Sequence, residues 1–166
     1  NLENRYIGGR TDEPLCENGI SEIGKRVQKG LYVPAERLFI SPMLRCRQTA
    51  QLIYPELMGK ARAVEQFREC DFGLFEGRNY LEMEHMPEYQ AWIDSFGKAR
   101  FPEGELPAEF NDRCVRAFLR TLPLHLFSAD EKKKNESFPG KEETLAYVFH
   151  GGTIMAIMSF LQHASE

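Results

Sequence analysis

Thr144-Leu145-Ala146-Tyr147-Val148-Phe149-His150-Gly151-Gly152 is the stretch that decides the fold. Its apolar opening, Thr144 to Phe149, predicts a buried strand, and the apolar run from Ile154 to Leu161 beyond the glycines predicts a helix. A strand that passes through a polar turn into a helix is the repeating unit of an α/β sheet, whose ligands gather beyond the carboxyl ends of the strands. His150 stands at that position, beside a helix N-terminus suited to an anion. On this pattern alone a structural and a functional histidine are equally well supported.

Outward from this unit the same grammar recurs. Arg37-Leu38-Phe39-Ile40-Ser41 is a short apolar run closed by Pro42, and the periodic stretch from Leu44 through Ala50 to Ile53 predicts a helix that stops before Pro55. Ala63 to Phe67 reads as a further short strand. Ile20, Ile23, Val27 and Leu31 recur at helical spacing within a helix from Glu17 to Lys29, stopped by Gly30. Pro107 opens another helix, with Phe110, Cys114, Val115, Phe118 and Leu122 on one face. Tyr80 to Ser95, rich in methionine and carrying Trp92, reads as helical decoration over the core. Ser128 to Glu143, with Lys132-Lys133-Lys134, reads as a solvated loop. No strand is visible ahead of the first helix.

The 166 residues fit one domain spanning 1–166. With 42% hydrophobic and 28% charged residues and no long apolar run, the composition is that of an ordinary globular protein and excludes fibrous and membrane classes. Setting 25 acidic side chains against 21 basic ones gives a net charge of −4, so no overall positive field gathers nucleic acid or anionic lipid. An anion must then be held by a local cluster of cations. Cys16, Cys46, Cys70 and Cys114 form no CxxC pair, which suits reduced thiols and a cytoplasmic protein, and the opening residues lack the layout of a signal peptide. His85, His125 and His163 have no partners at metal-ligand spacing, so no metal site is expected. The sequence also lacks G-x-x-x-x-G-K-[ST], G-x-S-x-G and H-E-x-x-H.

Three residues remain as carriers of chemistry. Arg45, with Arg47 near it, follows a strand and offers forked donors to a phosphate or carboxylate. Glu69 would serve as a general acid if Phe72 and Phe75 walled it off from water. Each, taken alone, reads more readily as an ordinary surface group; His150 completes the set.

In order, these segments resemble the histidine phosphatase superfamily, the phosphoglycerate-mutase-like proteins. Ser41-Pro42-Met43-Leu44-Arg45-Cys46-Arg47-Gln48-Thr49-Ala50 matches the family's S-P-L-x-R-x-x-x-T-A, and Glu69-Cys70-Asp71-Phe72-Gly73-Leu74-Phe75-Glu76-Gly77 matches E-x-x-F-G-x-x-E-G. Val148-Phe149-His150-Gly151-Gly152 matches the second-histidine motif, and residues 1–19 look like the stretch that follows the family's Arg-His-Gly motif. The resemblance implies a three-layer α/β/α sandwich with a mostly parallel sheet. It gives Arg45 a phosphate-clamping role, Glu69 that of proton donor and His150 that of stabilising the transferring phosphoryl group, and it places Asn1, Arg5, Gly8 and Gly151 around the substrate. The implied reaction is metal-independent phosphomonoester hydrolysis through a phosphohistidine, without a cofactor, on a small phosphorylated metabolite such as α-ribazole 5′-phosphate. Phosphoglycerate mutase activity is the alternative. The oligomeric state stays open.

Set against the family pattern, the first strand, the Arg-His-Gly nucleophile motif and the closing segment are expected to be missing from this chain. The chain as written would then be inactive, a phospho-ligand-binding homologue being the third reading. Smaller departures are the extra residue in Gly8-Gly9-Arg10 and Leu106, where Gly104-Glu105 is usually followed by serine.

Overall fold

In the computed structural model, which describes residues 4–123 and 143–163, the strands β1 (Arg37–Ile40), β2 (Arg62–Ala63) and β3 (Leu145–Val148) form one parallel sheet of order β2-β1-β3. The register pairs Phe39 with Tyr147 and Ile40 with Val148. The two-residue period of a strand then sorts the side chains onto two faces. Leu38, Ile40, Ala146 and Val148 pack with Cys46 and Ala50 of α2 (Leu44–Ile53). Phe39 and Tyr147 stack at 5.3 Å on the opposite face, against Ala117 and Phe118 of α5 (Pro107–Thr121). An outer helix, α1 (Glu17–Gln28), lies on α2, and α6 (Gly151–His163) lies on α5. Helices thus cover both faces, and the architecture is the α/β sandwich that the resemblance implies.

Local departures from the sequence reading have local causes. The run 63–67 is strand only to Ala63; Val64 makes the last bond to Ile40, at 2.9 Å, and the chain then tightens into a 3₁₀ turn, Glu65–Phe67, that buries Phe67. The stretch 80–95 is two helices, α3 (Tyr80–Met83) and α4 (Pro87–Asp94), because Pro87 has no N–H to continue the first and starts the second. The inward face of α5 is Phe110, Cys114, Ala117 and Thr121, whereas Leu122 lies past the helix end. The last helix starts at Gly151, ahead of its apolar run. Asn1, His125 and the charged stretch up to residue 142 lie outside the described residues; Glu143 pairs with Arg37 at 3.2 Å. Among the described residues, no helix is long and apolar enough to cross a membrane.

A second core sits under the segment 69–77. Phe75 meets Tyr89, Trp92 and Phe101 edge-on or nearly so, with Tyr6, Phe72 and Met83 closing the cluster. Such rings each contribute roughly 2–3 kcal/mol of burial, so this cluster fixes the backbone on which Glu69 stands. Gly73 makes it possible: its φ is +55°, and a Cβ there would fall 1.9 Å from the Pro102 carbonyl oxygen and 2.6 Å from the Gly104 nitrogen. Gly73→Ala is expected to destabilise the fold by about 3 kcal/mol or more, since neither backbone can give way. Denaturant midpoints of the two proteins check this, and an unchanged midpoint would contradict it.

Candidate active site

Ile40 and Val148 are paired, so the chain leaves β1 and β3 side by side and delivers Ser41 and His150 to one place. Both are buried, and the Ser41 Oγ lies 2.8 Å from His150 Nε2. The Cys46 thiol, in the first turn of α2, lies 3.6 Å from Nε2 and 3.7 Å from Nδ1. Ser41 therefore holds one ring nitrogen, and among the described residues Nδ1 meets nothing stronger than a thiol.

Glu69 arrives from the turn after β2. Its Oε1 accepts the Cys70 N–H at 2.9 Å and its Oε2 accepts the Gly152 N–H at 3.2 Å. Gly152 belongs to the first turn of α6, so the carboxylate takes one of the N–H groups that a helix start leaves without an intrahelical acceptor. Glycine is required there, because a Cβ would stand 2.5 Å from Glu69 Oε1 and 3.1 Å from Phe110 Cζ. Phe72, Phe75 and Phe110 of α5 all belong to the aromatic cluster, and Phe110 adjoins Gly152.

Arg45 is half-buried and donates to the Thr11 carbonyl at 2.8 Å and to the Gly8 carbonyl at 3.2 Å. A guanidinium has five donors, and those two bonds leave three. Arg68 donates to the Gly9 carbonyl at 2.9 Å, and the Gly9 N–H bonds to the Cys70 carbonyl at 2.8 Å, so the loop 8–11 lies between Arg45 and the Glu69 segment. Arg47 turns back to the Pro42 carbonyl at 2.9 Å and is exposed, which takes it out of the cluster.

Electrostatics supports one shared site. Burial, followed by the charges of Arg45, Arg68 and Arg113, pushes the His150 pKa down to about 3, with Asp12 working weakly against them. The ring is neutral at pH 7 and stands in a field that an anion would relieve. Burial also lifts the Cys46 thiol to about 11, so it is an inert neighbour and not a nucleophile.

The remaining expected residues are placed as follows. Arg5 does not open toward the cluster: its guanidinium forks onto the Glu82 carboxylate at 2.6 and 3.1 Å and reaches the Gly77 carbonyl. Gly8 is buried; its N–H donates to Glu76 at 2.9 Å and its carbonyl accepts from Arg45. Gly151 is exposed at the start of α6 with open space around it. Ser41, Arg68 and Arg113 are the participants that residue-by-residue reading passed over. For Ser41 the signal was a polar residue closing an apolar strand.

A cleft of about 530 Å³ opens beside Glu69, lined by Arg10, Arg68, Asp71, Glu105 and Arg113. Neither Arg45 nor His150 lines it, and its charges are largely paired across its walls, Arg10 with Asp71 at 2.7 Å and Arg113 with Glu105 at 2.6 Å. The cleft adjoins the Arg45–His150 cluster and is not the anion cradle itself. Within the cluster, arginine donors, a neutral imidazole and a carboxyl group can together bind a tetrahedral anion and move a proton.

Known proteins resemble this chain along its length. A Hydrogenobacter thermophilus protein named "Putative phosphoserine phosphatase 2" is 28% identical over 162 residues, covering 96% of this chain and 71% of its own length. A Serratia proteamaculans protein named "Probable phosphoglycerate mutase GpmB" is 28% identical over 124 residues, 72% of this chain and 57% of its own. The crystal structure of the α-ribazole phosphatase from Shigella flexneri superposes with a TM-score of 0.74 at 20% identity, over 97% of this chain and 73% of that one, and at that identity speaks for the fold alone. The family model described as histidine phosphatase superfamily (branch 1) matches residues 1–166, and the chain belongs to that superfamily.

Proposed function

We propose that the protein, in a form that carries the family's Arg-His-Gly motif, is a phosphomonoesterase of small phosphorylated metabolites, acting through a phosphohistidine on that motif's histidine and needing no metal ion. The observation that carries this reading is the contact between the Glu69 carboxylate and the Gly152 N–H, which sets a proton carrier beside His150 and the arginines that surround it. The uncommitted donors of Arg45 and the Nδ1 side of His150 are suited to equatorial phosphoryl oxygens, whose charge they would spread. As the motif histidine bonds to phosphorus, Glu69 gives its proton to the alcohol oxygen and the P–O bond breaks. It then accepts a proton from the water that attacks phosphorus and frees the histidine, so the enzyme returns to its starting state.

Phosphatase activity is favoured over mutase activity by the extent of likeness: the relative named for phosphoserine covers 96% of this chain, the mutase-named one 72%. α-Ribazole 5′-phosphate and phosphoserine are the first substrates to assay, and product analysis separates hydrolysis from transfer back to substrate. Vanadate is expected to inhibit competitively with phosphomonoesters, and activity is expected to survive EDTA, because the arginines supply positive charge. Undiminished activity in vanadate, or full loss in EDTA restored by magnesium or zinc, would overturn the reading.

A further inference from the structure

We propose that Arg113 and Glu105 form a positioning pair that holds the Glu69 carboxyl group in place for proton transfer, an inference that rests on Glu69 being the proton donor. The segment 66–71 carries Glu69 and runs from the end of one 3₁₀ turn, Glu65–Phe67, toward the next, which starts at Gly73. Its carbonyls need donor partners from elsewhere. Arg113, on α5, supplies them. Its Nη1 donates to the carbonyls of Gln66 at 2.6 Å and Arg68 at 2.9 Å, and its Nη2 donates to the Glu69 carbonyl at 3.2 Å.

The other two donors of the guanidinium go to Glu105, Nε at 2.6 Å and Nη2 at 2.8 Å, so all five are in use. Glu105 grips the same segment from its other end: its N–H donates to the Asp71 carbonyl at 2.9 Å, and its Oε2 accepts the Asp71 N–H at 3.4 Å. The two side chains are 25% and 17% exposed, which keeps water from competing for most of these bonds. The guanidinium also lies 4.8 Å over the Phe110 ring, which adjoins Gly152. One ion pair therefore sets the backbone of Glu69 on both sides.

A guanidinium fork is what this geometry uses. Lysine keeps the charge but has three donors around a point and cannot span two carboxylate oxygens and three carbonyls. A merely structural pair, once weakened, would lower activity on every substrate alike. A pair that aims Glu69 would matter most where the leaving alcohol needs a proton.

The test measures Arg113→Lys, Glu105→Gln and Glu69→Gln in the intact protein, on an alkyl phosphate and on p-nitrophenyl phosphate, with vanadate inhibition and thermal midpoints. For Arg113→Lys and Glu105→Gln, kcat on the alkyl ester is expected to fall about 10–100-fold and on the aryl ester less than about 3-fold, with vanadate inhibition retained. If Glu69→Gln discriminates between the esters but the two pair variants do not, the positioning inference is overturned and the proton-donor reading stands. If Glu69→Gln itself fails to discriminate, the proton-donor reading falls and this inference falls with it. Should Arg113→Lys not fold, Glu105→Gln decides. Failure of both to fold would make the pair structural and overturn the inference.

Discussion

Glu69→Gln is expected to slow hydrolysis of an alkyl phosphate by about 10²–10⁴-fold, the usual contribution of a positioned acid, and to slow p-nitrophenyl phosphate far less. An alkoxide is a poor leaving group and departs only as its oxygen is protonated; p-nitrophenolate is stable without help. The amide cannot donate a carboxylic proton. It also cannot accept at both ends, whereas Glu69 accepts from Cys70 at one oxygen and from Gly152 at the other. One of those N–H groups would then face the amide nitrogen, at a cost in stability of about 1–3 kcal/mol. The protein should therefore fold with a slightly lower thermal midpoint. The ratio of the two rate losses is the decisive readout, and equal losses would mean that Glu69 positions the substrate without protonating the leaving group.

Two of the three strands could be read from the chain because three signals coincided at each of them: a short apolar run, an abrupt stop, and a helix after it. For Arg37 to Ile40 the stop is Ser41-Pro42, and for Leu145 to Val148 it is the histidine–glycine turn. Parallel pairing of Ile40 with Val148 then follows from the crossover helices, and it brings Arg45 and His150 within electrostatic reach across 105 residues of sequence. What sequence reading missed depends on long-range partners that carry no local signature. The capture of Arg5 by Glu82, 77 residues away, depends on how α3 docks. Phe72 and Phe75 follow Glu69 closely in sequence, whereas Phe110, which joins the same cluster beside Gly152, comes from α5. Arg68 and Arg113 carry no local signature, because much of what they bond is distant backbone: the Gly9 carbonyl for the one, those of Gln66, Arg68 and Glu69 for the other. Every residue has such a carbonyl, and no sequence pattern marks it.

His150→Gln is expected to remove two properties at once, about 10²–10³-fold of catalytic rate and a dependence on acid that the wild-type protein should show. Glutamine can still meet the Ser41 hydroxyl but does not titrate. In the folded protein burial and the charges of Arg45, Arg68 and Arg113 hold the His150 pKa at about 3, against roughly 6.5 in an unfolded chain. Between those values the unfolded chain binds a proton that the native ring refuses, so native stability falls as pH drops from about 6.5 toward 3. One unit of pKa difference is worth about 1.4 kcal/mol, so the loss specific to His150 amounts to a few kcal/mol by the end of that window. Denaturant unfolding of the wild type and of His150→Gln at neutral pH and at about pH 4 should show the wild type losing more. An anion in the cluster would relieve the arginine field and raise the same pKa, so sulfate, which does not titrate in this range, should bind the wild type more tightly as pH falls. That tightening should vanish in His150→Gln. A variant whose sulfate affinity still rises with acid would move the proton uptake to another group and leave His150 without its role at the phosphoryl oxygens.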